Sequence, residues 1–228
     1  MQSLRESLTK ISVLNNLDSG ALEQLQSHTV IKHYLKDEIV ICEGDCLPPQ
    51  LYALIEGTLQ VWKTAVNGKE TLVRIIASGE IFAAPAIFGN GIAPATVRCQ
   101  TDSIVLTIER EALLETIRHQ PEVALRILEV FNQRLQHLHN TVHGLISERA
   151  IVRIVRLIQY YANRYGTQPV EGGDCLNLHL SYAQIARSIG ITYEECLRLM
   201  KTIKSAIVYQ RGGKIIIKDW QKLEEIAS

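Results

Sequence analysis

LSYAQIARSIGITYEECLRLMKTIK, residues 180–204, decides the fold of this chain. Ser181 with Gln184, and Thr192 with Glu195, each match a capping box, so two helices start eleven residues apart. Between them Gly190 supplies the backbone freedom of a tight turn, and Ala186 is small enough for two helices to approach closely. Ile185, Ile189, Ile191, Cys196 and Leu199 fall where the helices would face each other and form their small shared core. Two capped helices about a glycine spell a helix-turn-helix, which makes double-stranded DNA the leading candidate partner.

The flanks extend this unit. Downstream, IVYQRGGKIIIK (207–218) predicts a hairpin turning at Gly212-Gly213, the wing of a winged helix, and DWQKLEEIAS (219–228) a closing helix. Upstream, LNLHL (176–180) reads as a short strand, GTQPVEGGDC (166–175) as a loop, and SERAIVRIVRLIQYYANRYG (147–166) as a helix that Ser147 would cap. Gly144 and Ser147 are expected to interrupt the preceding helix and mark a domain boundary. That helix begins near Pro121 and carries Leu128, Phe131, Leu135, Leu138, Val142 and Leu145 at steps of three and four, with polar Gln133, Arg134, Gln136 and His137 beside them. So narrow a stripe fits one partner helix, as in a homodimer; an amphipathic helix lying on its own domain is the alternative.

Residues 31–108 change texture. EIVICEGD, LYALIEGTLQVWKT, ETLVRIIASGEIF, ATVRCQ and DSIVLTIE are short runs rich in Val, Ile, Leu, Thr and Tyr, punctuated by glycine, at the spacing of an antiparallel roll or barrel. Asn67-Gly68 is a hairpin signal, since both residue types tolerate positive φ. Residues 3–30 read as a helical lead-in carrying Leu14, Leu17, Leu22 and Leu25, with Asp18 capping its second short helix, and a further helix is expected at about 109–118.

At 228 residues the chain can bury two modest cores. Its zero net charge conceals a division: residues 1–147 hold 12 Lys and Arg against 16 Asp and Glu, net −4, while residues 148–228 hold 12 against 8, net +4. A basic back half suits phosphates. No apolar run approaches the length of a membrane span, and MQSLRESLTK lacks the apolar segment of a signal peptide, so a cytoplasmic protein without membrane contact is expected. Five scattered cysteines, an odd number, suggest reduced thiols.

A β-roll, a long helix and a winged helix-turn-helix, in this order and over nearly the whole chain, resemble the CRP/FNR (cyclic-AMP receptor protein) family of bacterial transcription regulators. The segments that carry the likeness are EGD (43–45), LYALIEGTLQVW (51–62), SGEIF (78–82), LSYAQIARSIG (180–190) and GGKIIIKDWQKLEEIA (212–227). The resemblance implies an α+β architecture: a cyclic-nucleotide-binding-like jelly roll as effector domain over residues 1–120, a dimerisation helix over 121–146 and a winged-helix DNA-binding domain over 147–228. It implies a homodimer that binds double-stranded DNA and works with RNA polymerase, and it implies no enzymatic activity.

In the family the recognition helix opens with a Ser/Thr cap, an Arg-Glu pair and an Arg four residues beyond the Glu. Here the positions hold Thr192, Tyr193, Glu194 and Arg198, so Tyr193 departs from the first Arg. Arg198 can donate two bonds to guanine, and Glu194 can accept from a cytosine amino group or orient the arginine. An i,i+4 ion pair between them is the plain alternative. Ser181 resembles a phosphate-holding position at a helix start, and Lys201, Lys204, Arg211 and Lys214 are candidate backbone contacts.

The family's nucleotide cassette requires a Gly-Glu pair for the ribose and an Arg-Ser pair for the cyclic phosphate. Ala83 and Ala84 stand at the first pair and Pro94 and Ala95 at the second, leaving a degenerate, apolar effector pocket. Cyclic AMP is not expected to bind; an apolar effector, or none, fits better, with no cofactor and no metal. Arg98 reads as a surface residue of a strand. Cys42 and Cys46 are too few for an iron-sulfur centre, His139 and His143 share a helix face without a third ligand, and His28 or His33 would be the residues for haem. Three functions compete: a dimeric DNA-binding regulator, a cupin-type enzyme short of strand-borne histidines, and a ligand-independent or redox- or metal-responsive regulator acting partly through a protein partner.

Overall fold

β3 (Gln50–Glu56) shows why the first half of the chain folds as it does: every residue from Leu51 to Ile55 is buried. Leu51, Ala53 and Ile55 join one apolar cluster, and Tyr52 and Leu54 another, because alternate side chains of a strand leave on opposite faces. The computed structural model describes residues 4–227; residues 1–3 and 228, at the ends of the expected lead-in and closing helix, lie outside them. The chain divides into two compact units, Met1–Leu135 and Gln136–Ser228.

In the first unit α1 (Leu4–Thr9) and α2 (Ser19–Gln26) precede β1 (Thr29–Tyr34) and β2 (Ile39–Ile41). After β3 come β4 (Thr58–Thr64), β5 (Glu70–Ala77), β6 (Ile81–Phe82), α3 (Pro85–Phe88), β7 (Thr96–Cys99), β8 (Ser103–Glu109) and α4 (Arg110–His119). The strands form two antiparallel sheets, ordered β1-β8-β3-β6 and β2-β7-β4-β5. Leu54, Leu59, Ile76, Val97 and Val105 fill the space between the sheets. The outer face of the β3 sheet is covered by Leu8, Leu14, Leu25 and Leu113 from the helices, with Val123 and Ile127 from α5 (Glu122–Ser147). Asp18 caps α2, its carboxylate accepting from the Ala21 N–H at 2.8 Å.

Two local features differ from expectation. At the 65–69 turn Gly68 alone takes positive φ: its N–H bonds to the Ala65 carbonyl and the Ala65 N–H to the Lys69 carbonyl. This is a three-residue loop ending in a left-handed glycine, with the Asn67 side chain accepting from the Lys69 N–H. Nor does Gly144 interrupt α5; the helix ends at Ser147, where a break was expected, but α6 (Ala150–Tyr165) starts behind Arg149 without a side-chain cap, not behind Ser147. A glycine in a helix costs only about 1 kcal/mol, which packing can override. Gly144 is buried where an added Cβ would lie 2.9 Å from Glu148 Oε2, so it serves close approach.

The second unit contains α6, β9 (Thr167–Val170), β10 (Gly173–Leu176), α7 (Tyr182–Ile189), α8 (Tyr193–Thr202), β11 (Ile207–Gln210), β12 (Lys214–Ile217) and α9 (Trp220–Ala227), with sheet order β11-β12-β10-β9. Residues 166–175 are mostly this β9–β10 hairpin and not the expected loop, and the strand expected at 176–180 ends at Leu176. A Cβ on Gly173 would strike the Ile217 carbonyl, so this glycine admits the close approach of β12, which pairs antiparallel with β10.

Candidate nucleic-acid interface and sensor site

α7 and α8 form the helix-turn-helix. Ser181 accepts from the Gln184 N–H and Gln184 returns the bond to the Ser181 N–H, completing a capping box. Gly190 is left-handed at φ 74°, and its N–H closes α7 on the Ala186 carbonyl. Thr192 accepts from the Glu195 N–H at 3.1 Å, but only half of the second expected box forms, because the Glu195 side chain does not return the bond. Instead its Oε1 lies 4.0 Å from Arg198 Nη2, so Arg198 is paired at i,i+3 with Glu195 and not at i,i+4 with Glu194. Ile185, Ala186, Ile189 and Cys196 are buried as expected; Met200 and Ile203 complete the core, while Ile191 and Leu199 are half-buried.

The expected DNA contacts are all exposed: Ser181, Thr192, Tyr193, Glu194, Arg198, Lys201 and Lys204 on the helices, Arg211 and Lys214 on the wing. Three tyrosines join these elements. Tyr182 stacks on Tyr209 with ring centroids 3.8 Å apart, and Tyr193 meets Tyr182 edge-on at 6.3 Å. Burial raises the pKa of Tyr182 and Tyr209 and pushes the Cys196 thiol up to about 11. Tyr182 and Tyr209 went unnoticed in the sequence, although Ser181-Tyr182 and Thr192-Tyr193 repeat one pattern, a tyrosine directly behind each cap.

Along α5, Leu128 and Leu135 in the first unit, and Leu138, Val142 and Leu145 in the second, are 49–61% exposed. Phe131 departs from this stripe: it is half-buried, edge-on to Phe88 at 6.0 Å, with the Arg134 guanidinium 5.8 Å above its ring. Leu145 reaches towards the helix-turn-helix, its Cδ2 lying 3.7 Å from a Cβ built on Gly190.

In the sensor region Ala83 takes φ 52°, a conformation suited to glycine. Ala84 is the N-terminal cap of α3, Ala95 is buried and Pro94 is exposed. Lys63 Nζ donates to the Pro94 carbonyl at 2.7 Å and to Glu43 at 2.8 Å, which holds the Glu43 carboxyl below its usual range. Arg74 pairs with Glu80 at 3.0 Å, and Arg134 donates to the Ile81 carbonyl at 2.6 Å. Arg98 on β7 is half-buried.

Cys42 and Cys46 are exposed, whereas Cys99, Cys175 and Cys196 are buried. His28 lies 2.8 Å from Glu109, His139 and His143 are exposed, and His137 stacks on Tyr160. Among the described residues no group of three or more His, Cys, Asp or Glu is placed to hold a metal ion, and no helix is long and apolar enough to cross a membrane.

Residues 31–120 match the cyclic nucleotide-binding domain family, and residues 152–226 match the Crp-like helix-turn-helix domain family. The chain belongs to the CRP/FNR family. It is 24% identical over 220 residues to the CRP-like cAMP-activated global transcriptional regulator of Mycobacterium tuberculosis, covering 96% of this chain and 97% of the relative. Among solved structures, a mutant of CooA from Carboxydothermus hydrogenoformans superimposes with TM-score 0.79 at 22% identity, covering 96% of this chain and 95% of that one. The c-di-GMP responsive global regulator CLP of Xanthomonas campestris does so with TM-score 0.72 at 20% identity, covering 88% and 99%. These two likenesses carry the fold. This CRP/FNR chain is thus a transcription regulator with a helix-turn-helix DNA-binding domain.

Proposed function

We propose that two copies of this regulator pair along Leu128, Leu135, Leu138, Val142 and Leu145, with Phe131 at the edge, and bind a two-fold related DNA site. The observation that carries this is an apolar stripe about half exposed along a helix of 26 residues, in the same chain as an exposed recognition helix. Each α8 then enters one of two successive major grooves about 34 Å apart. Arg198 and Glu194 read base edges, Ser181 and the α7 N-terminus hold a phosphate, and Lys201, Lys204, Arg211 and Lys214 add backbone contacts. Through Leu145, a change of packing along the stripe acts on the helix-turn-helix turn.

The sensor does not take cyclic AMP, because Ala83, Ala84, Pro94 and Ala95 offer neither cation nor hydroxyl to a cyclic phosphate. An apolar effector, or none, suits it. The protein works in the cytoplasm and meets RNA polymerase once bound. Gel-shift binding to its own promoter tests the proposal: wild type shifts the promoter and Arg198→Ala loses the preference over unrelated duplex. Equal binding of all duplexes by both proteins contradicts it.

A second reading, a regulator that acts through a protein partner, draws on the acidic first turn of α8, where Glu194 and Glu195 would meet phosphates. Salt separates the two: counterion release makes DNA affinity fall steeply between about 50 and 200 mM salt.

A further inference from the structure

We infer that Tyr193 reads the C5 methyl group of a pyrimidine, normally thymine, at one position of each half-site; this rests on the DNA-binding reading above. Tyr193 is the first residue of α8, directly behind the Thr192 cap. Its ring meets Tyr182 edge-on, planes 85° apart, and Tyr182 is stacked against Tyr209 of β11. Two inner rings, contributed by α7 and the wing hairpin, therefore support the outer one, which remains 48% exposed. A ring supported in this way has little rotamer freedom left to lose when a base arrives.

The surroundings decide what that ring can recognise. A helix N-terminus ordinarily draws a phosphate, but Glu194 and Glu195 occupy the first turn of α8 and offset the attraction. Nor can a phenol make the two parallel donor bonds with which arginine reads guanine. What it offers is a flat apolar surface, and the apolar feature of the major groove is the thymine methyl group. Glu194 beside it is an acceptor, suited to an adjacent cytosine or adenine amino group, and Arg198 lies a turn further on. The half-site then combines a methyl, an amino donor and a guanine edge. Because 5-methylcytosine carries the same methyl, chemical context distinguishes the two sources.

The test uses the full-length protein and duplexes selected from a random pool. In the selected duplex each thymine is replaced in turn by deoxyuridine, which removes only the methyl. One thymine per half-site is expected to lose about fourfold in affinity, the worth of one buried methyl group. At that position 5-methylcytosine should bind more tightly than cytosine by a similar factor. Tyr193→Phe keeps this discrimination and Tyr193→Ala abolishes it, with Phe guarding against a misfolded variant. A selected duplex in which no thymine responds to deoxyuridine, or a response that survives Tyr193→Ala, overturns the inference and leaves the DNA-binding reading standing. Failure of wild type to select any sequence overturns both.

Discussion

The rings of Tyr182 and Tyr209 lie stacked, planes 22° apart, tying the first helix of the helix-turn-helix to the first strand of the wing. Neither residue belongs to the apolar set of the helix pair, so this tie is separate from the core beneath. Tyr209→Ala is expected to reduce stability by about 1 to 3 kcal/mol and Tyr209→Phe by less than about 0.5. Hydrogen-exchange protection of residues 182–217 measures the difference.

Cys196 is fully buried between α7 and α8, and its thiol is raised from 9.0 to about 11. Folding therefore favours the neutral thiol. The associated stability is present below pH 9 and is lost as pH rises through about 11. Between those limits wild type should lose up to about 2 kcal/mol more than Cys196→Ala, which is weaker at neutral pH but declines less steeply. Urea titrations at pH 8, 9 and 10 compare the slopes.

Ala83 holds φ 52° without the glycine that this conformation favours. Ala83→Gly should stabilise the β-roll by about 1 kcal/mol, seen by calorimetry as a rise in melting temperature. The same instrument tests the sensor: cyclic AMP at millimolar concentration should leave the melting of wild type and of Ala83→Gly unchanged, whereas a bound ligand at 100 times its Kd would add about 2.7 kcal/mol.

Leu138 and Val142 are half exposed, and pairing would cover both. Leu138→Glu with Val142→Glu should convert a dimer to a monomer in sedimentation and weaken operator binding by about 100-fold or more, because the second half-site no longer benefits from linkage.

Strong local signals made much of this structure legible in the sequence. The Ser181 capping box, the Gly190 turn and the Gly212-Gly213 hairpin are set by neighbours in the chain, and each formed where its residues indicated. Errors arose where distant packing decided. Gly144 looked like a helix breaker but makes room for Glu148, and Gly173 looked like a loop residue but admits the Ile217 carbonyl. Phe131 keeps the spacing of the apolar stripe, and its ring also meets Phe88, a partner 43 residues away that periodicity cannot identify. The tyrosine cluster likewise joins α7, α8 and β11, and only the fold brings its third member to the other two.

Hydroxyl-radical footprinting of the full-length protein on its selected duplex tests the paired recognition helices most directly. Two protected patches centred about 10 to 10.5 base pairs apart, related by two-fold symmetry and both lost in Arg198→Ala, are the expected result. A single patch, or uniform protection unchanged by Arg198→Ala, would contradict it.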